Sequence, residues 1–114
     1  MKSAELFIDG AMTCPVLVAD TYWTRLRGML FRNPLPPALV LVRTTSVHGA
    51  WMTQALDIAM LDDAGVVLAT GVLQPWRLSS RQRGTHSVLE APVGSFETWG
   101  LGVGSRIALV PHRE

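Results

Sequence analysis

Apolar and polar positions alternate along much of this chain, with turn residues at the breaks. In "ELFIDGAMTCPVLVA" the pair Asp9-Gly10 separates two alternating runs. Both central residues of a two-residue hairpin turn need positive φ, which this pair tolerates, so strands are predicted near 4–8 and 11–18. Pro15 has no amide proton to give a neighbour, which places the second strand at a sheet edge or at a bulge. Further strand-like runs follow at 38–43, 47–52, 57–62 and 66–73. The last two are joined by an Asp62-Asp63-Ala64-Gly65 turn in which Gly65 supplies the left-handed residue. Both faces of 57–62 and 66–73 are apolar, the pattern of central strands covered on each side. "HSVLEAP" and "RIALV" complete the strands.

Helical spacing is confined to two places. Trp23, Leu26 and Leu30 share a helical face from about residue 21, with Asp20 or Thr21 as N-cap and Gly28 as a left-handed stop. Pro34, Pro36 and Pro37 then hold the chain extended. On that helix Arg27 flanks the apolar stripe and Arg25 points away from it. "GSFETWG" is one helical turn between Gly94 and Gly100, and Gly100, Gly102 and Gly104 mark a tight return into the last strand. The pattern therefore predicts a mainly β fold: one antiparallel β-sandwich or barrel-like domain over residues 1–114, with one or two short helices.

Composition narrows the function classes. At 114 residues with 48% hydrophobic and 17% charged, the chain can bury roughly 65% of its unfolded surface and fold without staples. A net charge of +1, from ten basic against nine acidic residues, gives no field suited to nucleic acid or an anionic membrane. No apolar run approaches the roughly 20 residues of a membrane span. The single Cys14 allows no internal disulfide and the first residues lack a signal-peptide apolar core, so a cytoplasmic protein is expected, as a monomer or weak dimer.

The candidate chemistry is sparse. Asp57, between Leu56 and Ile58, shares its strand face with Ala59 and Leu61. Such a carboxylate must be solvated, accept backbone amides or be paired; Arg27 is the first choice of partner and Arg77 the second. Glu90 is a second carboxylate, either partner to Asp57 in acid–base chemistry or bound to an arginine across the sheet. His48 shares a strand face with Ala50 and Met52, and is a candidate acid, base or hydrogen-bonded imidazole. Cys14, His86 and His112 form no metal motif, so neither a metal nor a cofactor is expected. Arg77, Arg81 and Arg83 share one loop and, with Arg27, could grip an oxyanion; Trp76 beside them suits a pocket rim.

Three blocks, "RLRGMLFR" (25–32), "SVHGAWMTQALDIAMLDDAGVV" (46–67) and "VLEAPVGSFETWGLGVGSRI" (88–107), together with "PWR" (75–77), resemble the small prokaryotic domain of unknown function 192 family. Its members carry an Arg-rich helix ending in Gly-Leu-Met, a His or Trp followed by Met, a Leu-Asp opening a strand, and a C-terminal Leu-Glu followed by Gly and Gly-Asp. The resemblance implies a β-sandwich-like fold with short helices and no established activity. Met29-Leu30 replaces the usual Leu-Met, a volume-conserving swap, and Ser105 replaces the acid of the Gly-Asp turn.

Three functional readings follow. The first is a non-catalytic module that binds a small anionic ligand or a protein segment, with Arg27, His48, Met52, Asp57, Trp76, Arg77 and Glu90 as candidate ligand-binding residues. The second is a small hydrolase-like or isomerase-like enzyme using His48 with Asp57 or Glu90. The third is a protein-interaction accessory using an open sheet edge.

Overall fold

In the computed structural model, which describes residues 2–21, 36–49 and 54–112, the alternating runs become seven strands. These are β1 (Lys2–Ile8), β2 (Ala11–Ala19), β3 (Leu39–Val42), β4 (Leu56–Leu61), β5 (Val67–Leu73), β6 (Ser87–Pro92) and β7 (Ile107–Pro111). One helical turn, α1 (Ser95–Trp99), precedes the last of them. The strands form one sheet in the order β5-β4-β6-β3-β2-β1-β7. The fold is mainly β as expected, but the sheet is mixed: β2 and β3 run parallel and every other pair antiparallel. Ala19 and Leu39, where β2 ends and β3 begins, are far enough apart in sequence for the long connection that parallel neighbours need. The helix expected from about residue 21, with Arg27 and Gly28, lies outside the described residues.

Local chemistry explains the turns. Asp9 and Gly10 take φ of 51° and 84°, and Gly65 takes 84°. Asp62 Oδ1 accepts the amides of Ala64 (2.9 Å) and Val66 (2.8 Å), closing the turn before β5. The β1–β2 register passes from Leu6 opposite Cys14 to Phe7 opposite Met12, which leaves Thr13 as a bulge. Pro15 lies two residues further along, outside the stretch Leu17–Ala19 where β2 pairs β3, so no ladder bond is missing. The run 47–52 contributes no regular strand among its described residues; His48 makes only an isolated bridge to Leu78.

The sheet has two buried faces. One packs Leu6, Ile8, Val16, Leu61 and Leu89 beneath Phe96 of α1 and Leu101; we call it the helix face. The other packs Leu39, Leu41, Leu56, Ile58, Met60 and Val88 beneath Val47; we call it the loop face. All six residues of β4 are buried, as the two-sided apolar pattern predicts. Fully enclosed leucines such as Leu6, Leu56 and Leu89 each stabilise the fold by roughly 2 kcal/mol.

β5 departs from the expectation of a central strand: it ends the sheet, and Thr70, Gly71 and Val72 are exposed. Its beginning is covered because the sheet curls until β5 meets the lead-in to β7. The Val67 amide donates to the Ser105 carbonyl (2.8 Å), Gly104 to Val67 (2.9 Å) and Ile107 to Gly65 (2.8 Å). Only glycine fits at 65, since a Cβ there would collide with the Ile107 carbonyl oxygen. The curl thus closes at one end of β5 and leaves the other end open.

Candidate functional site

Asp57 is buried, with 8% of its surface exposed, and sits on the helix face at the end of the sheet where β6 runs into α1. Its Oδ2 accepts the amides of Gly94 (3.0 Å) and Phe96 (3.1 Å). Those amides belong to the first turn of α1, whose N–H groups have no intrahelical partner, and Gly94 offers no side chain to cap them. A carboxylate from a neighbouring strand supplies the missing acceptor. Of the two arginines expected to pair with Asp57, Arg77 is in an exposed loop and forms no ion pair with it, and Arg27 lies outside the described residues. The backbone amides take the role because β6 and α1 deliver them to the point where Asp57 emerges.

Glu90 points the other way. Laterally paired residues share a face, and the register sets Glu90 beside Leu39 and Ile58, and Asp57 beside Ala91 and Val72. Asp57 and Glu90 therefore occupy opposite faces and cannot act as a carboxylate couple on one substrate. Glu90 is 4% exposed within the apolar loop face, and burial pushes its carboxyl up to about 7. No arginine pairs with it among the described residues.

His48, Trp76 and Arg77 are brought together, on the loop-face side. Gly49 donates to the Arg77 carbonyl (2.7 Å), Trp76 to Gly49 (2.7 Å) and Ser79 to Val47 (2.8 Å), while Val47 donates to Ser79 Oγ (2.8 Å). This short ladder pins residues 76–79 against 47–49, and a Cβ at Gly49 would strike the Gln74 carbonyl oxygen. The ladder also holds Trp76 at φ 64°, a conformation costly for a side chain of that size, with 62% of its surface exposed. His48 is exposed and makes no side-chain hydrogen bond among the described residues, so no carboxylate orients its imidazole. Met52 lies outside the described residues.

Beneath the loop is a cavity of about 190 Å³. Ile58, Met60 and Ala69 form its floor, and Ser79, Ser80, Arg81 and Gln82 its polar wall, with Thr70 at the side. Ser80, Gln82 and Thr70 carry no signal in their own spacing; only the register that lays the loop over β4 and β5 groups them. A second, more open cavity of about 300 Å³ lies on the helix face between β5 and α1, bordered by Asp57 and Glu97.

Cys14 is half-buried in β2, and burial, reinforced by Glu5, pushes its thiol up, away from a reactive thiolate. Among the described residues no three of His, Cys, Asp and Glu come together to hold a metal ion. No helix among them is long and apolar enough to cross a membrane. At the turn where an acid is replaced, Ser105 Oγ accepts the Gly102 amide at 3.0 Å, so a hydroxyl closes the turn.

Comparison with known proteins agrees with this picture of fold and family. The chain is 31% identical over 97 residues to a UPF0127 protein of Pyrococcus furiosus, covering 81% of this chain and 84% of that one. It is 29% identical over 98 residues to a UPF0127 protein of Pyrococcus abyssi, covering 81% and 83%. Two crystal structures share the fold. One is a putative transcription regulator from Sinorhizobium meliloti, with a TM-score of 0.81 at 16% identity, covering 94% of this chain and 93% of that one. The other is a protein of unknown function from Novosphingobium aromaticivorans, with a TM-score of 0.77 at 17% identity, covering 91% and 83%. The DUF192 family model, described as Uncharacterized ACR, matches residues 4–109, and the chain belongs to that family.

Proposed function

We propose that the chain is a non-catalytic binding module for a small anion bearing a short apolar group. The observation that carries this reading is the cavity under the 78–82 loop, where Arg81 and the hydroxyls of Ser79 and Ser80 meet an apolar floor. An apolar surface with a few convergent polar groups is the usual composition of a ligand site, and guanidinium groups grip carboxylate or phosphate in two-pronged fashion. Arg77, Arg81 and Arg83 form no ion pair among the described residues, so an incoming anion displaces no internal carboxylate. At about 190 Å³ the cavity is below the roughly 300–1,000 Å³ of drug-sized sites, which favours short-chain carboxylates or small organic phosphates. The enzyme reading has less support, because His48 lacks an orienting carboxylate and the two buried carboxyls lie on opposite faces.

The test is calorimetric titration with butyrate, malonate and a short alkyl phosphate. At least one should bind with Kd below about 1 mM, and Arg81→Ala should weaken it about tenfold. Absence of binding by all three, or binding indifferent to Arg81, would remove this reading.

A further inference from the structure

We infer that the outer edge of β5 is a docking strip for an extended polypeptide segment that carries a basic side chain. The sheet order leaves β5 with a single full neighbour, β4, and its contact with the lead-in to β7 ends at Val67. From Leu68 to Leu73 the strand makes no hydrogen bond on its outer side among the described residues. Folded proteins blunt such edges with lysine, proline, inward charges or a covering element. The sequence VLATGVL has no charge and no proline, and Thr70, Gly71 and Val72 are exposed. The opposite edge strand, β7, ends in Pro111 and so carries one of those devices.

What lies beside the β5 edge selects the occupant. The strip continues into the cavity of about 300 Å³ between β5 and α1, whose border includes Asp57 and Glu97 and no arginine or lysine. Asp57 Oδ2 is occupied by the amides of Gly94 and Phe96, and Oδ1 accepts no hydrogen bond among the described residues. A strand laid along β5 would pair its backbone with the open edge and place alternate side chains over this cavity. A lysine or arginine there meets two carboxylates; an acidic side chain meets repulsion. Val72 and Val93, both about half-exposed, offer apolar contact at its rim. A second copy of this chain fits poorly, because its own β5 has no cation to offer.

The test uses the intact protein and a capped heptapeptide, matching the seven residues of β5, of alternating Thr and Val with one central arginine. Amide resonances of Leu68–Leu73 and Glu97 should shift on titration, with saturation below about 1 mM peptide. Replacing the peptide's arginine by glutamate should weaken binding at least about tenfold, and Glu97→Gln several-fold. N-methylation of alternate peptide amides, which leaves the protein untouched, should abolish it. Four outcomes would overturn the proposal: no shifts at that concentration, equal binding of the N-methylated peptide, indifference to the arginine, or self-association through β5 in the absence of peptide.

Discussion

Asp57 and Glu90 lie on adjacent strands and are both buried, yet one is anchored by backbone amides and the other has only apolar neighbours beside it in the sheet. Asp57→Ala removes the acceptor for two amides and should lower stability by about 2 kcal/mol, whereas Asp57→Asn keeps one oxygen there and should cost about 1 kcal/mol. Chemical denaturation of both variants checks the order; an Asn variant as damaged as the Ala variant would argue for a charged partner instead. Glu90 has the reverse sign. Its carboxyl is raised from 4.5 to about 7 by burial, so the folded state holds the proton more tightly than the unfolded chain. Its contribution is most favourable below pH 4.5 and is lost as pH rises to about 7, a penalty on the order of 3 kcal/mol. Glu90→Gln should therefore flatten the decline of the denaturation midpoint between those pH values, and an unchanged slope would show that Glu90 does not cause it.

At the level of elements, the joins matter more than the strands. Gly65 combines a φ of 84° with the closest approach of the β4–β5 turn to β7, so Gly65→Ala should cost 2 kcal/mol or more, at roughly the upper range for a strained backbone position. Thermal denaturation reads this directly, and a wild-type midpoint would mean the curl does not depend on that contact. The hairpin at Asp9-Gly10, the turn at Asp62 to Gly65 and the single helical turn at 95–99 are all legible in sequence, because each rests on residues whose local chemistry has few alternatives. The position of β5 at the sheet's end is not legible. An apolar strand half covered by a distant β7 reads like one covered along its length, and the covering depends on pairing between residues some 40 apart in sequence. Asp57's partners were hidden for the same reason: backbone amides have no residue signature.

Across the whole molecule, the two faces of one curled sheet divide the chemistry. The loop face gathers Arg81 and the hydroxyls of Ser79 and Ser80 over Ile58 and Met60, and the helix face holds Asp57 and Glu97 beside the open edge of β5. Of the residues singled out in sequence, His48, Trp76 and Arg77 meet through the 47–49 ladder, while Asp57 stands apart from Glu90 on the other face; the alternation of strand residues allowed that separation to be inferred only once the register of β4 on β6 was known. Backbone amide shifts followed during titration with malonate and a short alkyl phosphate read this division of faces. Shifts should appear at Ala69 and at Leu78 to Gln82, with the Gly94 and Phe96 amides that hold Asp57 unmoved. Shifts centred on Gly94 to Glu97, or none anywhere, would contradict it.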